Sequence, residues 1–279
     1  MNYRHLYHAG NFADVFKHAV LVLLLRRLLA KDAPLAILDT HAGIGRYDLR
    51  AAEALKTAEF RHGIARLLAE PAPPPVLVPY LDLVRGANPA GGLDIYPGSP
   101  AIAAAMARPG DRIVLCELHP ADASSLKRAF AADRRVAVHH MDGYLAVKAF
   151  LPPREHRGLV LIDPPFEAED EAERLYLAFC QAHRRWPGGT LVLWYPIKDR
   201  PPIERFHHRL AASGIRRLLI AELLVRGAGS AEQLNGSGLL LVNPPWRIEE
   251  ALAPLLDALA PLLAQGAGAG GTWCWLVPE

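Results

Sequence analysis

The chain has 279 residues, 51% of them apolar, with 31 basic against 29 acidic side chains and a net charge of +2; it has the length for one large α/β domain, and its charge alone does not demand a nucleic-acid partner. Three cysteines far apart, with no Cys-x-x-Cys spacing, exclude a disulfide framework and a zinc site and suit reduced thiols in the cytoplasm. The longest early apolar run, residues 19–25, is too short to span a bilayer, so no membrane association is expected.

The first seventeen residues carry Tyr3, Arg4, His5, Tyr7, His8, Asn11 and Phe12, stackable and cationic groups suited to closing over a ligand or touching phosphate. Apolar spacing predicts a helix over 13–29, with Lys17 and His18 ahead of its apolar core and Arg26 and Arg27 near its end. His5, His8 and His18 lack a carboxylate or thiolate at metal-ligand spacing, so no metal is expected; they suit ligand contacts or helix capping.

Residues 35–39 read as a buried strand ending in Asp39, followed by Thr40-His41-Ala42-Gly43-Ile44-Gly45-Arg46-Tyr47. The glycines allow a tight turn and close backbone approach to a ligand. Asp48 stands where a dinucleotide fingerprint needs Gly or Ala, which favours S-adenosylmethionine, a nucleoside without phosphate, over a pyrophosphate. The next acidic strand end, Glu117 after 112–116, is the natural acceptor for ribose hydroxyls, yet it comes seventy-two residues after Gly45 instead of about twenty. Residues 49–95 are therefore read as an inserted helical subdomain, with helical spacing at Ile64, Leu67 and Leu68 and at Tyr80, Leu81, Leu83 and Val84. Ser99-Pro100 reads as a cap and first-turn proline of a helix starting at Ala101.

A third strand, 136–141, ends at Asp142-Gly143, an acid for an adenine amino group and a glycine for close backbone approach. A fourth, 159–162, ends at Asp163-Pro164-Pro165-Phe166. There a carboxylate and a proline-fixed carbonyl can accept the two N–H groups of an adenine amine, freeing its lone pair, while Phe166 offers a stacking face. Asp163 can also take the proton shed after transfer. Four acids at four strand ends indicate a nucleoside-containing ligand. Further strands are expected at 190–196, 218–224 and 238–242, with 227–238 a flexible loop. The last ends in Asn243-Pro244-Pro245-Trp246, a rival corner; the strand succession favours Asp163 and leaves Trp246 to core or rim.

Taken together, Tyr-Arg-His-x-Tyr-His-Ala-Gly-Asn-x-Ala-Asp-Val-x-Lys-His, Leu-Asp-Thr-His-Ala-Gly-x-Gly-Arg-Tyr, Tyr-Pro-Gly-Ser-Pro, Glu-Leu-His-Pro, Asp-Pro-Pro, Leu-Trp-Tyr-Pro and Asn-Pro-Pro-Trp resemble the bacterial 23S ribosomal RNA adenine-N6 methyltransferases of the RlmJ type, over nearly the whole chain. The resemblance implies a Rossmann-like class I S-adenosylmethionine-dependent methyltransferase, a single domain over 1–279 with residues 1–18 as a motif over the cofactor site. It implies cofactor contacts from Lys17, His18, His41, Ser99, Glu117, Asp142, Gly143 and Asp163, with S-adenosylhomocysteine as product. Asp163 is then the catalytic acceptor, with Tyr3, Pro164 and Phe166 at the substrate. Phe166 replaces the family's usual tyrosine, and the loop 228–236 lacks the family's basic character. The partner implied is 23S rRNA, protein-free or early in assembly, as the substrate of a monomeric enzyme; the basic residues Arg4, Arg46, Arg184 and Arg185 are nominated as its RNA contacts. The alternatives are an amine methyltransferase acting on DNA adenine or protein glutamine, and a non-catalytic RNA-binding module.

Overall fold

The computed structural model describes residues 4–229 and 232–279. A 3-10 turn, His5–Tyr7, leads into α1, Phe12–Leu29, started by Asn11, whose side chain accepts the N–H of Asp14. Residues 12–25 of α1 are all buried, as befits a helix that runs through a core instead of over it. Arg26 and Arg27 emerge only in its last turn, where the helix dipole favours cations.

The chain continues through β1 (Ala36–Asp39), β2 (Arg46–Asp48), α2 (Ala52–Thr57), α3 (Ile64–Leu68), α4 (Val78–Gly86), β3 (Ile95–Pro97) and α5 (Ser99–Met106). Then come β4 (Arg112–Glu117), α6 (Pro120–Ala129), β5 (Val136–His140), α7 (Gly143–Phe150), β6 (Gly158–Ile162), α8 (Glu171–Arg185) and β7 (Thr190–Ile197). The last elements are α9 (Arg200–Ala211), β8 (Leu218–Leu224), β9 (Gly236–Val242), α10 (Glu249–Leu263) and β10 (Gly270–Val277).

Eight strands form one sheet in the order β10-β8-β9-β7-β6-β1-β4-β5. The five from β7 to β5 pair in parallel, while β9 is antiparallel to both β7 and β8, and β10 to β8. Strand order reverses between β1 and β6, which opens a crevice at their carboxyl ends. The central parallel strands β1 and β6 are buried along their whole length because both faces are covered, whereas β5 at the sheet edge, ending in His139 and His140, is only partly buried. Ile37, Leu159 and Leu161 join α1 and α10 in one apolar cluster, and Leu38, Val160 and Ile162 join α8 and α9 in the other.

The helical stretch between β2 and β3 is closed at its neck by their antiparallel pairing, Arg46 opposite Pro97 and Asp48 opposite Ile95. Its Ile64, Leu67, Tyr80, Leu81 and Val84 belong to the same apolar cluster as α1, so it shares the core of the sheet instead of holding its own. Three strands escape the sequence pattern. β2 and β3 have three residues each, too few for periodicity to register. β10 begins with two glycines and is an edge strand held by pairing with β8. No helix among the described residues is long and apolar enough to cross a membrane.

Candidate active site

The parallel strands end on one edge of the sheet, around a cleft of about 920 Å³. That is near the upper limit for small-molecule pockets. The loop after β1 enters it by a turn with Gly43 and Gly45 at φ +60° and +79°, the left-handed backbone that only glycine adopts freely. Lys17, His18, His41, Ser99, Glu117, Asp142, Gly143, Asp163, Pro164 and Phe166 all line the cleft. Tyr3 lies outside the described residues.

At its centre Lys17, with a side chain 5% exposed, bridges two carboxylates. Its Nζ lies 2.9 Å from Asp14 Oδ1 and donates to Asp163 Oδ2. Burial works to lower the lysine's pKa, but the charges of Asp14 and Asp163 prevail and raise it. Asp14 is the residue the sequence pattern misses. Its Oδ2 also accepts from His5 Nε2 at 2.9 Å and from the Gly10 N–H at 3.0 Å. Burial opposes its ionisation, yet His5 and Lys17 hold it well below the usual carboxylate range. The Asp14-x-x-Lys17 spacing on one helix face was the available signal.

His18 and His41 are both neutral. Burial pushes His18 down to about 3, and its Nδ1 lies 2.7 Å from the Tyr96 hydroxyl. His41 falls to about 4 for the same reason, with Nδ1 2.8 Å from Thr40 Oγ1 and its ring edge-on to Tyr144.

Three of the four acidic strand ends reach the cleft. Glu117 accepts the N–H groups of Gly43 at 2.8 Å and His119 at 2.7 Å, which fixes the carboxylate and leaves lone pairs for hydroxyl donors. Asp142 caps α7 through the Tyr144 N–H at 2.7 Å and takes Arg174 at 3.1 Å. Arg174 comes from α8 and lies over the Tyr144 ring at 4.5 Å, a contribution with no local sequence signal.

Asp39 corrects the expectation of four ligand-facing acids. It is 2% exposed, lies beneath the cleft and does not line it. Burial raises its pKa to about 7 against the hydrogen bond from Ser99. Ser99 is corrected with it. The helix cap is Gly98, α5 starts at Ser99, and the serine hydroxyl donates to Asp39 Oδ2 at 2.6 Å instead of capping. Gly143 is needed for packing before any ligand arrives, because a Cβ there would lie 2.1 Å from the Thr40 carbonyl oxygen and 2.8 Å from the His41 ring.

Phe166 sits at φ +52°, an uncommon backbone for an aromatic residue, and packs edge-on against Trp194 at 5.6 Å. The rival Asn243 corner opens on the opposite edge of the sheet. Because β9 runs against β7, Asn243 lies beside the start of β7, where its Nδ2 donates to the carbonyls of Pro187 and Gly189. Trp246 there is 77% exposed, neither core nor cleft rim. Arg184 and Arg185 sit in the last turn of α8 at that same far edge, Arg185 being bound to the Leu151 carbonyl. Arg4 lies 3.6 Å from Asp122 at the cleft wall, and Arg46 is exposed on β2.

Comparison with known proteins agrees with this geometry. A family model described as ribosomal RNA large subunit methyltransferase D, RlmJ, matches residues 32–277. Proteins named ribosomal RNA large subunit methyltransferase J from Escherichia coli K12 and Haemophilus influenzae are each 40% identical, with both chains covered over their full length. A crystal structure of a Legionella pneumophila protein superimposes with a TM-score of 0.87 at 33% identity, over 96% of this chain and 97% of the other. A doubly wound sheet with its order reversal beneath the cleft, and a sequence matched from end to end, make this chain a member of the RlmJ family of ribosomal RNA large subunit methyltransferases.

Proposed function

We propose that this enzyme transfers a methyl group from S-adenosylmethionine to N6 of one adenine of 23S rRNA. The observation that carries the proposal is the Asp163-Pro164-Pro165-Phe166 corner. It stands at the carboxyl end of β6, beside the order reversal, with Asp163 Oδ2 tied to Lys17 and the Phe166 ring on the cleft wall.

The residues present suit the cofactor. Glu117 is held by two amides as an acceptor for ribose hydroxyls, Asp142 is the acceptor for an adenine amine, and the carboxylates complement a sulfonium charge. Lys17, His18, His41, Ser99 and Gly143 complete its surroundings, joined on the cleft wall by His5, His8 and Asn11 of the N-terminal motif. When bound, S-adenosylmethionine supplies an electrophilic methyl group.

The chain's own work is to bind, orient and take up a proton. An adenine taken out of its stack lies against Phe166. Asp163 accepts one N–H of its amine and the Pro164 carbonyl the other, so the nitrogen lone pair turns toward the donor. Lys17 holds the Asp163 side chain in one rotamer for that contact, and Asp163 then receives the released proton. The substrate is protein-free or early-assembly rRNA, and the enzyme acts as a monomer.

The test is methyl transfer from labelled S-adenosylmethionine to 23S rRNA from cells lacking this modification, with the product nucleoside identified by mass spectrometry. N6-methyladenosine at a single position is expected, and its loss in Asp163→Ala. Transfer to DNA or to protein glutamine with none to rRNA overturns the proposal.

A further inference from the structure

Four lysine and arginine side chains line the cleft, and they fall into two classes. Lys17 is buried between Asp14 and Asp163, and Arg174 pairs with Asp142 and Glu171. Lys198 and Arg226 have no carboxylate partner among the described residues. Lys198 is exposed, and the Arg226 guanidinium is held by the side-chain oxygens of Gln233 at 2.7 Å and Gln265 at 2.5 Å. Two neutral acceptors fix the plane of that fork without cancelling its charge.

Both cations hang from one buried hinge point. Asn235, 1% exposed, donates its N–H to the Ile197 carbonyl at 2.9 Å and its Nδ2 to the Lys198 carbonyl at 2.7 Å, and its own carbonyl accepts the Val225 N–H at 2.9 Å. β9 lies between β7 and β8, with Gly236 opposite both Ile197 and Leu224. Lys198 and Arg226 therefore start two strand spacings apart, about 10 Å, within reach of a common anion for two long side chains. Strand alternation sends Trp194, Pro196 and Lys198 to the cleft, while Leu193, Tyr195 and Ile197 pack in the core behind. Trp194 is itself the ring against Phe166, so the cationic rim adjoins the base-stacking corner. The opposite half of the cleft, with Glu117 and Asp142, is acidic and unfavourable for phosphate.

We infer that Lys198 and Arg226 form a phosphate-binding pair that holds the RNA backbone next to the extruded adenine. The inference rests on the rRNA reading of the cleft. It assigns RNA contact to the ends of β7 and β8, in place of the poorly basic loop 228–236 and of Arg184 and Arg185.

The experiment measures methyl transfer to unmodified 23S rRNA transcript at several salt concentrations, with S-adenosylmethionine affinity measured separately. It compares the parent with Lys198→Gln, Arg226→Gln, their double variant, and Arg26→Gln/Arg27→Gln at the far end of α1. For the double variant the RNA KM is expected to rise about tenfold and the salt slope to fall by roughly two, one per phosphate contact. Cofactor affinity should stay within about twofold in every variant, and Arg26→Gln/Arg27→Gln should leave the RNA KM unchanged. An RNA KM and salt slope equal to the parent's in the double variant overturn the inference. So does an equal effect from Arg26→Gln/Arg27→Gln, which would mark a response to net charge alone. If the parent binds cofactor but does not methylate the transcript, the rRNA reading falls, and this inference with it.

Discussion

Lys17→Met tests the centre of the site. The two oxygens that share its Nζ belong to Asp14, whose side chain is 2% exposed, and Asp163, 15% exposed. Hydrogen bonds of ordinary length to one nitrogen put those oxygens no more than about 6 Å apart, so removing the ammonium leaves a repulsion of about 3 kcal/mol at an effective dielectric constant near 20. Breaking one partner out of a buried ion pair costs about 3–5 kcal/mol by the same physics. Urea unfolding at pH 7 should therefore show Lys17→Met destabilised by about 3 kcal/mol. Adding Asp14→Asn removes one of the two repelling charges and should return about 1–2 kcal/mol of that loss, a coupling expected of groups in direct contact. Methyl transfer should fall about a hundredfold with saturating cofactor, because Asp163 loses the contact that fixes its rotamer. A Lys17→Met variant within 1 kcal/mol of the parent, or an Asp14→Asn cost that simply adds to it, would refute the bridging role.

Other substitutions separate packing, topology and protonation. Gly143→Ala should cost about 1–3 kcal/mol in stability and weaken cofactor binding, since its Cβ must push α7 away from the Thr40 carbonyl; calorimetric titration with S-adenosylhomocysteine that matches the parent would count against this. Asn243→Ala should leave methyl transfer unchanged, because its side chain bonds to Pro187 and Gly189 on the far edge of the sheet; a large loss of transfer would mean that corner belongs to the chemistry. The pH dependence of stability follows from three buried groups. His18 and His41, held at about 3 and about 4, contribute stability that is complete above their ordinary 6.5 and is lost as pH falls toward those values. Asp39, raised from 3.8 to about 7, acts in the other direction, with a contribution complete below 3.8 and lost as pH rises to about 7. Between pH 4 and 6.5 these three groups leave the folded chain one proton short of the unfolded one, so stability climbs with pH by about 1.4 kcal/mol per unit. Asp39→Asn should roughly double that slope in urea midpoints measured across the window, and parallel slopes would show that Asp39 is not the buried acid described here.

What the sequence by itself determined is local. Apolar runs of four to six branched residues mark strands buried on both faces, and their ends in acid, glycine or proline mark where the chain leaves the sheet. Arg112–Glu117 is legible to the residue for that reason, and so is the Asp163-Pro164-Pro165-Phe166 corner. What only the tertiary structure decided depends on partners far along the chain. Asp39 and Glu117 look alike as strand ends, yet one sinks beneath the cleft against Ser99, sixty residues away, while the other lines it. The Lys17 bridge to Asp163 spans 146 residues, and Arg174 reaches Asp142 from a different helix. Two nearly identical Pro-Pro corners fall on opposite edges because β9 runs antiparallel to β7. Strand direction leaves no trace in the alternation of side chains, since the same residues are buried whichever way a strand runs. It is set when hydrogen-bond ladders pair across the sheet, and the site is assembled at that step.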